Sequence, residues 1–371
     1  MHLQAMLKEF YHGRRVLVTG HTGFKGSWLS MWLRMLGAEV MGVALEPPGT
    51  PSMFGSLRLH ELMDSRHTDI NDYPALEKTL REFEPEVVIH MAALSLVRPS
   101  YKDPLATLNT NILGTAKVLE ACRHCPATRA VIIVTSDKCY RNNEWVWGYR
   151  ENDPMGGHDP YSASKGCAEL VAASYIKSFF PPEEYGQSHQ TAVASARAGN
   201  AIGGGDWGLD RLIPDCFRAL HQGAAIHIRY PSAVRPWQHV LECLSGYLML
   251  GARLCQEGPR YGCGWNFAPM DMGDIWPVGK VVEHICRLWG NGRVVTDQGA
   301  QPHEAHMLCL DCTKARIDLG WLPRYRVAQA LRETVAWYKA WSEDPSPERM
   351  RAMTLGQIQA YMDAVTATEE N

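Results

Sequence analysis

Val16-Leu-Val-Thr-Gly-His-Thr-Gly-Phe-Lys-Gly26 joins a short β-branched run to a segment of helical period through three glycines, Gly20, Gly23 and Gly26. This is the pattern of a strand, a tight turn and a helix whose N-terminus receives an anion. Gly20 permits the turn, Gly23 lets a pyrophosphate approach backbone N–H groups, and Gly26 lets the helix pack on the sheet. Thr22, Phe24 and Lys25 complete the candidate cofactor loop. A glycine triplet alone is weak evidence, and its strand-turn-helix context gives it force.

Working outward, strand-like runs lie at 39–45, 87–90, 130–135 and 192–198, and helix-like segments at 23–36, 73–83, 104–124 and 162–180. Strands alternating with helices imply βαβ units and a doubly wound parallel α/β sheet covered on both faces. Asp69-Ile70, after a presumed third strand, is placed for an adenine, and Ala92 and Ala93 end the fourth strand with small residues where a cofactor would lie. Glu46, after the second strand, favours NAD, while Lys25 favours a phosphorylated dinucleotide; NAD is preferred. Beyond Gly199 the pattern breaks into Gly, Pro and Trp-rich loops between helices at 214–221 and 241–255, with further helices at 327–341 and 355–364. The expected division is a dinucleotide-binding domain at 1–198 and a smaller C-terminal substrate lobe at 199–371, some segments of which return to the first domain.

The 371 residues, 46% apolar and 21% charged, have ordinary globular composition. A net charge of -3 offers no basic footprint for nucleic acid. No run approaches the ~20 apolar residues that span a bilayer, and residues 1–10 lack the apolar core of an export signal, so the expectation is a soluble, cytoplasmic protein. Eleven cysteines, an odd number scattered through the chain, read as reduced thiols. Cys122 with Cys125 and Cys309 with Cys312 have C-x-x-C spacing, but the second pair lies in a strand-like run, and no metal is expected.

Tyr161-Ser-Ala-Ser-Lys165 opens a helix, so Tyr161 and Lys165, four apart, share one face. A tyrosine serves as a base once its pKa falls from ~10 towards neutrality, and a neighbouring ammonium stabilises the phenolate. Ser136, after the fifth strand, can hydrogen-bond the same substrate hydroxyl. A Tyr-x-x-x-Lys alone occurs often by chance, but its combination with the glycine loop and a Ser at a strand end makes coincidence improbable.

Here the chain resembles the extended short-chain dehydrogenase/reductase family, a Rossmann-type fold, over essentially its whole length, and within it the CDP-glucose 4,6-dehydratases. The resemblance rests on Gly20-His-Thr-Gly-Phe-Lys-Gly-Ser-Trp28, Thr135-Ser-Asp-Lys-Cys-Tyr140, Glu144-Trp-Val-Trp-Gly-Tyr-Arg-Glu151, Asp159-Pro-Tyr-Ser162, Ala198-Gly-Asn-Ala-Ile-Gly-Gly-Gly-Asp-Trp207 and Arg235-Pro-Trp-Gln-His-Val240. It implies conversion of CDP-glucose to CDP-4-dehydro-6-deoxyglucose with loss of water, the NAD being reduced and then reoxidised. Oxidising C4 acidifies the C5 proton, elimination expels the C6 hydroxyl, and C6 is then reduced. By position Tyr161 would take the C4 hydroxyl proton, Lys165 would hold the nicotinamide ribose, Ser136 would orient the substrate and Asp137 would protonate the leaving oxygen from a desolvated site of raised pKa. Lys138 stands where the related dTDP-glucose enzymes carry a Glu as the C5 base, and a lysine does this work only as a neutral amine.

The resemblance also implies substrate contacts from Arg98, Asn200, Arg211, Leu212, Arg235, Gln238, His239 and His303, the arginine fork suiting a diphosphate. It implies a homo-oligomer, dimer or tetramer, paired through the helices at 104–124 and 162–180. Leu94-Ser95, Ala163 and Cys243 depart from the family pattern, where Gln-Pro, Asn and Pro are expected. The rival readings are a dehydratase or epimerase for a GDP- or dTDP-linked hexose, and a non-catalytic dinucleotide-binding protein. The latter would need no acid, base and tuned tyrosine together.

Overall fold

β1 (Arg15–Thr19) is covered on both faces: Val16 and Val18 join one buried cluster and Leu17 the other. β2 (Glu39–Ala44), β3 (Asp64–His67), β4 (Val87–His90), β5 (Ala130–Val134) and β6 (Ala192–Ala198) follow in the chain. β5 repeats the alternation, with Ala130, Ile132 and Val134 on one side and Val131 and Ile133 on the other. That two-sided burial is why these strands read as near-continuous apolar runs. The computed structural model describes residues 3–47, 49–269, 276–297 and 308–364.

Among the described residues β7 (Ala201–Ile202), β8 (Ala225–Ile228), β9 (Val234–Arg235), β10 (Gln238–His239), β11 (Gly264–Phe267), β12 (Trp276–Pro277) and β13 (Arg293–Thr296) complete the strands. The main sheet has seven strands in the order β11-β6-β5-β4-β1-β2-β3, every pairing parallel. The chain winds outward from β1 to β3 and then crosses back to β4 beside β1, so the winding reverses between β1 and β4. Ligands of doubly wound sheets bind in the crevice at that switch point, outside the carboxyl ends of the strands.

The helices are α1 (Leu3–Tyr11), α2 (Phe24–Met35), α3 (Met53–Leu57), α4 (Tyr73–Phe83), α5 (Val97–Lys102), α6 (Pro104–Leu108), α7 (Gly114–Arg123), α8 (Pro160–Phe179), α9 (Leu212–His221), α10 (Val240–Glu257), α11 (Val278–Trp289), α12 (Val327–Glu343) and α13 (Pro347–Asp363). α4, α7 and α8 cover one face through Leu76, Leu80, Val118, Leu119 and Ala172. α1, α2, α10 and α13 cover the other through residues such as Leu7, Trp28, Leu244 and Ile358.

The doubly wound sheet expected from the strand and helix pattern is present, and α10 and β11 are C-terminal segments that return to it. The expected 104–124 helix is interrupted by a π turn at Asn109–Leu113, between α6 and α7. The run at Cys309 to Cys312 is not a strand: Leu310 makes a single bridge to Tyr149. Cys122 and Cys125 lie in the cluster on one face of the sheet and Cys312 in the cluster on the other, so the two C-x-x-C pairs do not meet. Past β6, short two-stranded pairings, β10 with β7, β12 with β9 and β13 with β8, join α9, α11 and α12 in a smaller α/β region.

Candidate active site

The crevice begins at the end of β1. Gly20 adopts φ +78°, the left-handed region, and its N–H donates to the Val43 carbonyl at 2.8 Å. A Cβ there would stand 2.7 Å from the Ala92 backbone nitrogen, and one on Gly26 would stand 2.1 Å from the Gly20 carbonyl oxygen. Neither position admits a side chain. Gly23 is the N-cap of α2, and among the described residues no side chain caps that helix end, which leaves its first N–H groups for an anion. Such a bare, glycine-cradled helix start at a switch point fits the pyrophosphate of a dinucleotide.

The neighbouring residues fix the rim of that cradle. Thr22 donates its hydroxyl to the Leu45 carbonyl at 2.8 Å, and Thr19 accepts from the N–H groups of Met91 and Ala92, both at 3.1 Å. Ala93 follows, half-buried. Asp69 is exposed and closes a turn onto the Asn71 N–H at 2.9 Å, while Ile70 is buried against Gly114. Glu46 pairs with His67 on the ribose side of β2, and His21, buried under Phe54, bonds Ser65 at 2.7 Å. Phe24 packs where a Cβ on Gly203 would be 3.2 Å from its ring. The charge of Lys25, which also belongs to the candidate cofactor loop, is felt at Asp137 and Lys165.

α8 starts at Pro160 with Asp159 as N-cap, whose carboxylate accepts from the Ser162 N–H at 2.9 Å. This places Tyr161 and Lys165 one turn apart, 8% and 6% exposed. Ser136 caps the short turn Asp137–Cys139 that follows β5, and its hydroxyl donates to Asp137 Oδ1 at 2.9 Å. Burial pushes the Asp137 carboxyl up from its ordinary value, opposed by Lys138, Ser136 and Lys25. Burial thus moves this carboxyl in the direction that favours the proton-bearing form a general acid needs.

Tyr161 departs from the expectation of a depressed pKa. Burial pushes it up to about 12, with its hydrogen bond with Ser136 working against that and the Asp137 charge adding to it. Burial and the nearby Lys25 draw Lys165 down to about 8, and its amine donates to the Val134 carbonyl at 3.3 Å. A base at Tyr161 needs added positive charge in the crevice.

Of the expected substrate contacts, five are half-buried. Arg98 pairs with Asp210 at 2.9 Å, and Arg211 holds Asp206 at 3.0 Å and Ser95 at 2.9 Å, so two arginines tie the loop after β4 to the loop before α9. Leu212 opens α9, and Asn200 and Arg235 are half-buried in the strand connections of the same region, the Asn200 carbonyl accepting from the Gln238 N–H at 3.1 Å. Two others turn inward. His239 is fully buried, edge-on to Trp28 and Tyr325, and caps α10, and burial draws its pKa down to about 3. Gln238 is buried with its amide on the Phe267 carbonyl at 3.0 Å. Both are buried among apolar neighbours, with Gln238 Oε1 and His239 Nε2 left without a partner among the described residues. His303 lies outside the described residues.

Several residues of the site carried no local motif. Asn111, in the π turn, is 1% exposed and ties the Leu94 backbone to the Ser164 hydroxyl, which itself donates to the Tyr161 carbonyl. Glu169 and Arg197 form a buried pair beneath the crevice at 2.8 Å. The sequence signal is Arg197 inside the small-residue strand run Ala192 to Ala198, where a buried charge demands a buried partner.

A family model described as GDP-mannose 4,6 dehydratase matches residues 17–334. A CDP-glucose 4,6-dehydratase of Salmonella typhimurium is 51% identical over 97% of this chain and 99% of its own length. A dTDP-glucose 4,6-dehydratase of Streptomyces griseus is 28% identical over 90% of this chain and 97% of its own. Among solved structures, a dTDP-glucose 4,6-dehydratase of Streptomyces venezuelae with NAD bound superposes with a TM-score of 0.73 at 23% identity, covering 88% of this chain and 97% of that one, which supports the fold. With a switch-point crevice, a glycine cradle, a Tyr161–Lys165 helix and a buried acid at Asp137, the chain belongs to the sugar-nucleotide 4,6-dehydratase family that this model describes.

Proposed function

We propose that the chain converts CDP-glucose to CDP-4-dehydro-6-deoxyglucose and water, using NAD that is regenerated within each turnover. The observation that carries dehydration is Asp137, a buried carboxyl whose pKa burial raises and which accepts a hydrogen bond from the same Ser136 that bonds Tyr161. An epimerase has no leaving group to protonate. The CDP-linked substrate is supported by the 51% identical relative.

Bound NAD supplies a reversible two-electron acceptor beside the sugar. Tyr161 removes the C4 hydroxyl proton while Ser136 orients that oxygen, and positive charge added to the crevice draws the tyrosine down from about 12. Lys165 would bind the nicotinamide ribose, and the glycine cradle with Thr22, Phe24, Ala92 and Ala93 would hold the rest of the dinucleotide. Asp137 gives its proton to the departing C6 oxygen. Lys138, on the same short turn, is the proposed acceptor of the C5 proton. Arg98, Asn200, Arg211 and Arg235 are the proposed diphosphate and nucleotide ligands, Arg98 and Arg211 exchanging Asp210, Asp206 and Ser95 for the substrate.

The proposed assembly is a homo-oligomer. Leu105, Leu113 and Leu170 are 77%, 53% and 62% exposed on adjacent helical segments, an apolar surface suited to a second copy. No helix among the described residues is long and apolar enough to cross a membrane. Eleven free thiols suit the reducing cytoplasm. Incubation with NAD and, separately, CDP-, dTDP- and GDP-hexoses, read by mass spectrometry, tests the substrate. Loss of one water from CDP-glucose alone without net NADH is expected, and preferential loss from another nucleotide sugar would reassign it.

A further inference from the structure

Glu169 lies one turn beyond Lys165 and two beyond Tyr161 on the same face of α8, and it is 5% exposed. Its carboxylate is filled on both oxygens. Oε1 accepts from the Thr135 hydroxyl, and Oε2 from the Ser195 hydroxyl at 2.5 Å and from Arg197 Nη2 at 2.8 Å. Arg197, on β6, passes the connection on: Nη1 donates to the Tyr140 hydroxyl at 2.6 Å and to the Glu151 carbonyl at 2.9 Å. The Tyr140 hydroxyl then donates to Asn266 Oδ1, on β11, at 2.7 Å.

The chain positions of these partners matter more than their number. Thr135 immediately precedes and Tyr140 immediately follows residues 136–139, the turn that presents Ser136, Asp137 and Lys138. The pair therefore grips both ends of that turn and fastens them to the helix that carries Tyr161 and Lys165.

A buried ion pair is a poor device for stability alone, since desolvation offsets much of its attraction and well-packed apolar residues often do as well. This one also leaves Arg197 Nε without a partner among the described residues. Its value lies in geometry, because directional hydrogen bonds from both partners to defined backbone and side-chain atoms favour one arrangement where an apolar core admits several.

We propose that the Glu169–Arg197 pair is the positioning element of this site, locking the turn at 136–139 to the face of α8 that bears Tyr161 and Lys165. Neither residue touches substrate. On the dehydratase reading, on which the kinetic part of this proposal rests, C4 oxidation uses Tyr161 and Lys165 of α8 with Ser136 only orienting the oxygen, whereas elimination rests wholly on Asp137 and Lys138 of the turn. Loosening the pair therefore harms elimination more than oxidation.

Two variants release one grip each without burying a lone charge: Thr135→Val and Tyr140→Phe. Glu169→Gln removes the carboxylate itself. Amide hydrogen exchange on the full-length protein with NAD reads the lock without any turnover. Faster exchange at residues 136–140 in all three variants, with α8 unchanged, is expected. In single turnovers with CDP-glucose, reduced nicotinamide is expected to form at near the parent rate and to persist, with elimination slowed roughly tenfold or more.

Unchanged exchange at the turn in Thr135→Val and Tyr140→Phe would overturn the proposal, as would an equal loss of both steps tracking melting temperature. A parent protein that dehydrates no nucleotide sugar would instead overturn the assigned activity, and the exchange result would still decide the lock.

Discussion

Ser136, Asp137, Tyr161 and Lys165 come from two segments that the sheet brings together, and each has a distinct electrostatic state. Asp137 is raised by burial and Lys165 is lowered to about 8 by burial and by Lys25. Tyr161 stands at about 12, so its work as a base depends on charge that the crevice gains on loading. Asp137→Asn is expected to lower dehydration by about 10²- to 10⁴-fold while nicotinamide reduction in a single turnover survives. Tyr161→Phe is expected to abolish both, which stopped-flow absorbance of the reduced nicotinamide separates. Lys25→Met removes a cation felt by both Asp137 and Lys165, so a shift of the pH–rate profile is the expected result.

At the scale of elements, the glycine loop and α8 were legible because their chemistry is local: three glycines between a strand and a helix, and a Tyr and a Lys one turn apart. Gly26→Ala puts a methyl group 2.1 Å from the Gly20 carbonyl oxygen, so backbone must move, and loss of NAD binding by calorimetry is expected. β11 was not legible. Gly-Trp-Asn-Phe has no β-branched residue and too short an alternation to be read, and only its partner β6, more than sixty residues earlier, makes it a strand. The same holds for His239 and Gln238, which share a motif with Arg235 yet point into the core, because three residues of sequence do not reveal which face a short β-bridge buries. The apolar surface on α6, the π turn and α8 predicts that Leu105→Asp or Leu170→Asp lowers the assembly to monomers in analytical ultracentrifugation.

Across the whole molecule, buried ionisable groups set an expected pH dependence of stability. His21 is drawn down to about 4, and His90 and His239 to about 3, chiefly by burial. Each binds a proton more readily when unfolded, so their stabilisation is complete above about 6.5 and is lost as pH falls towards 4. Glu242 has the opposite sign. Buried under Tyr361 and the backbone of Arg324 and Tyr325, it is raised from 4.5 to about 7, and its stabilisation is lost as pH rises between those values. Three imidazoles outweigh one carboxylate, so denaturant midpoints are expected to fall on acidification below about 6.5. Glu242→Gln should remove the opposing slope.

The fold, the cradle and the acid beside the tyrosine converge on one chemical statement: oxidation at C4, elimination across C5 and C6, and reduction at C6 occur within one closed crevice. CDP-glucose carrying deuterium at C4 tests it most directly. Product that has lost one water and holds that deuterium at C6 of the same molecule is the expected result. Dehydrated product whose C6 hydrogen comes from solvent, or labelled hexose recovered without loss of water, would contradict it.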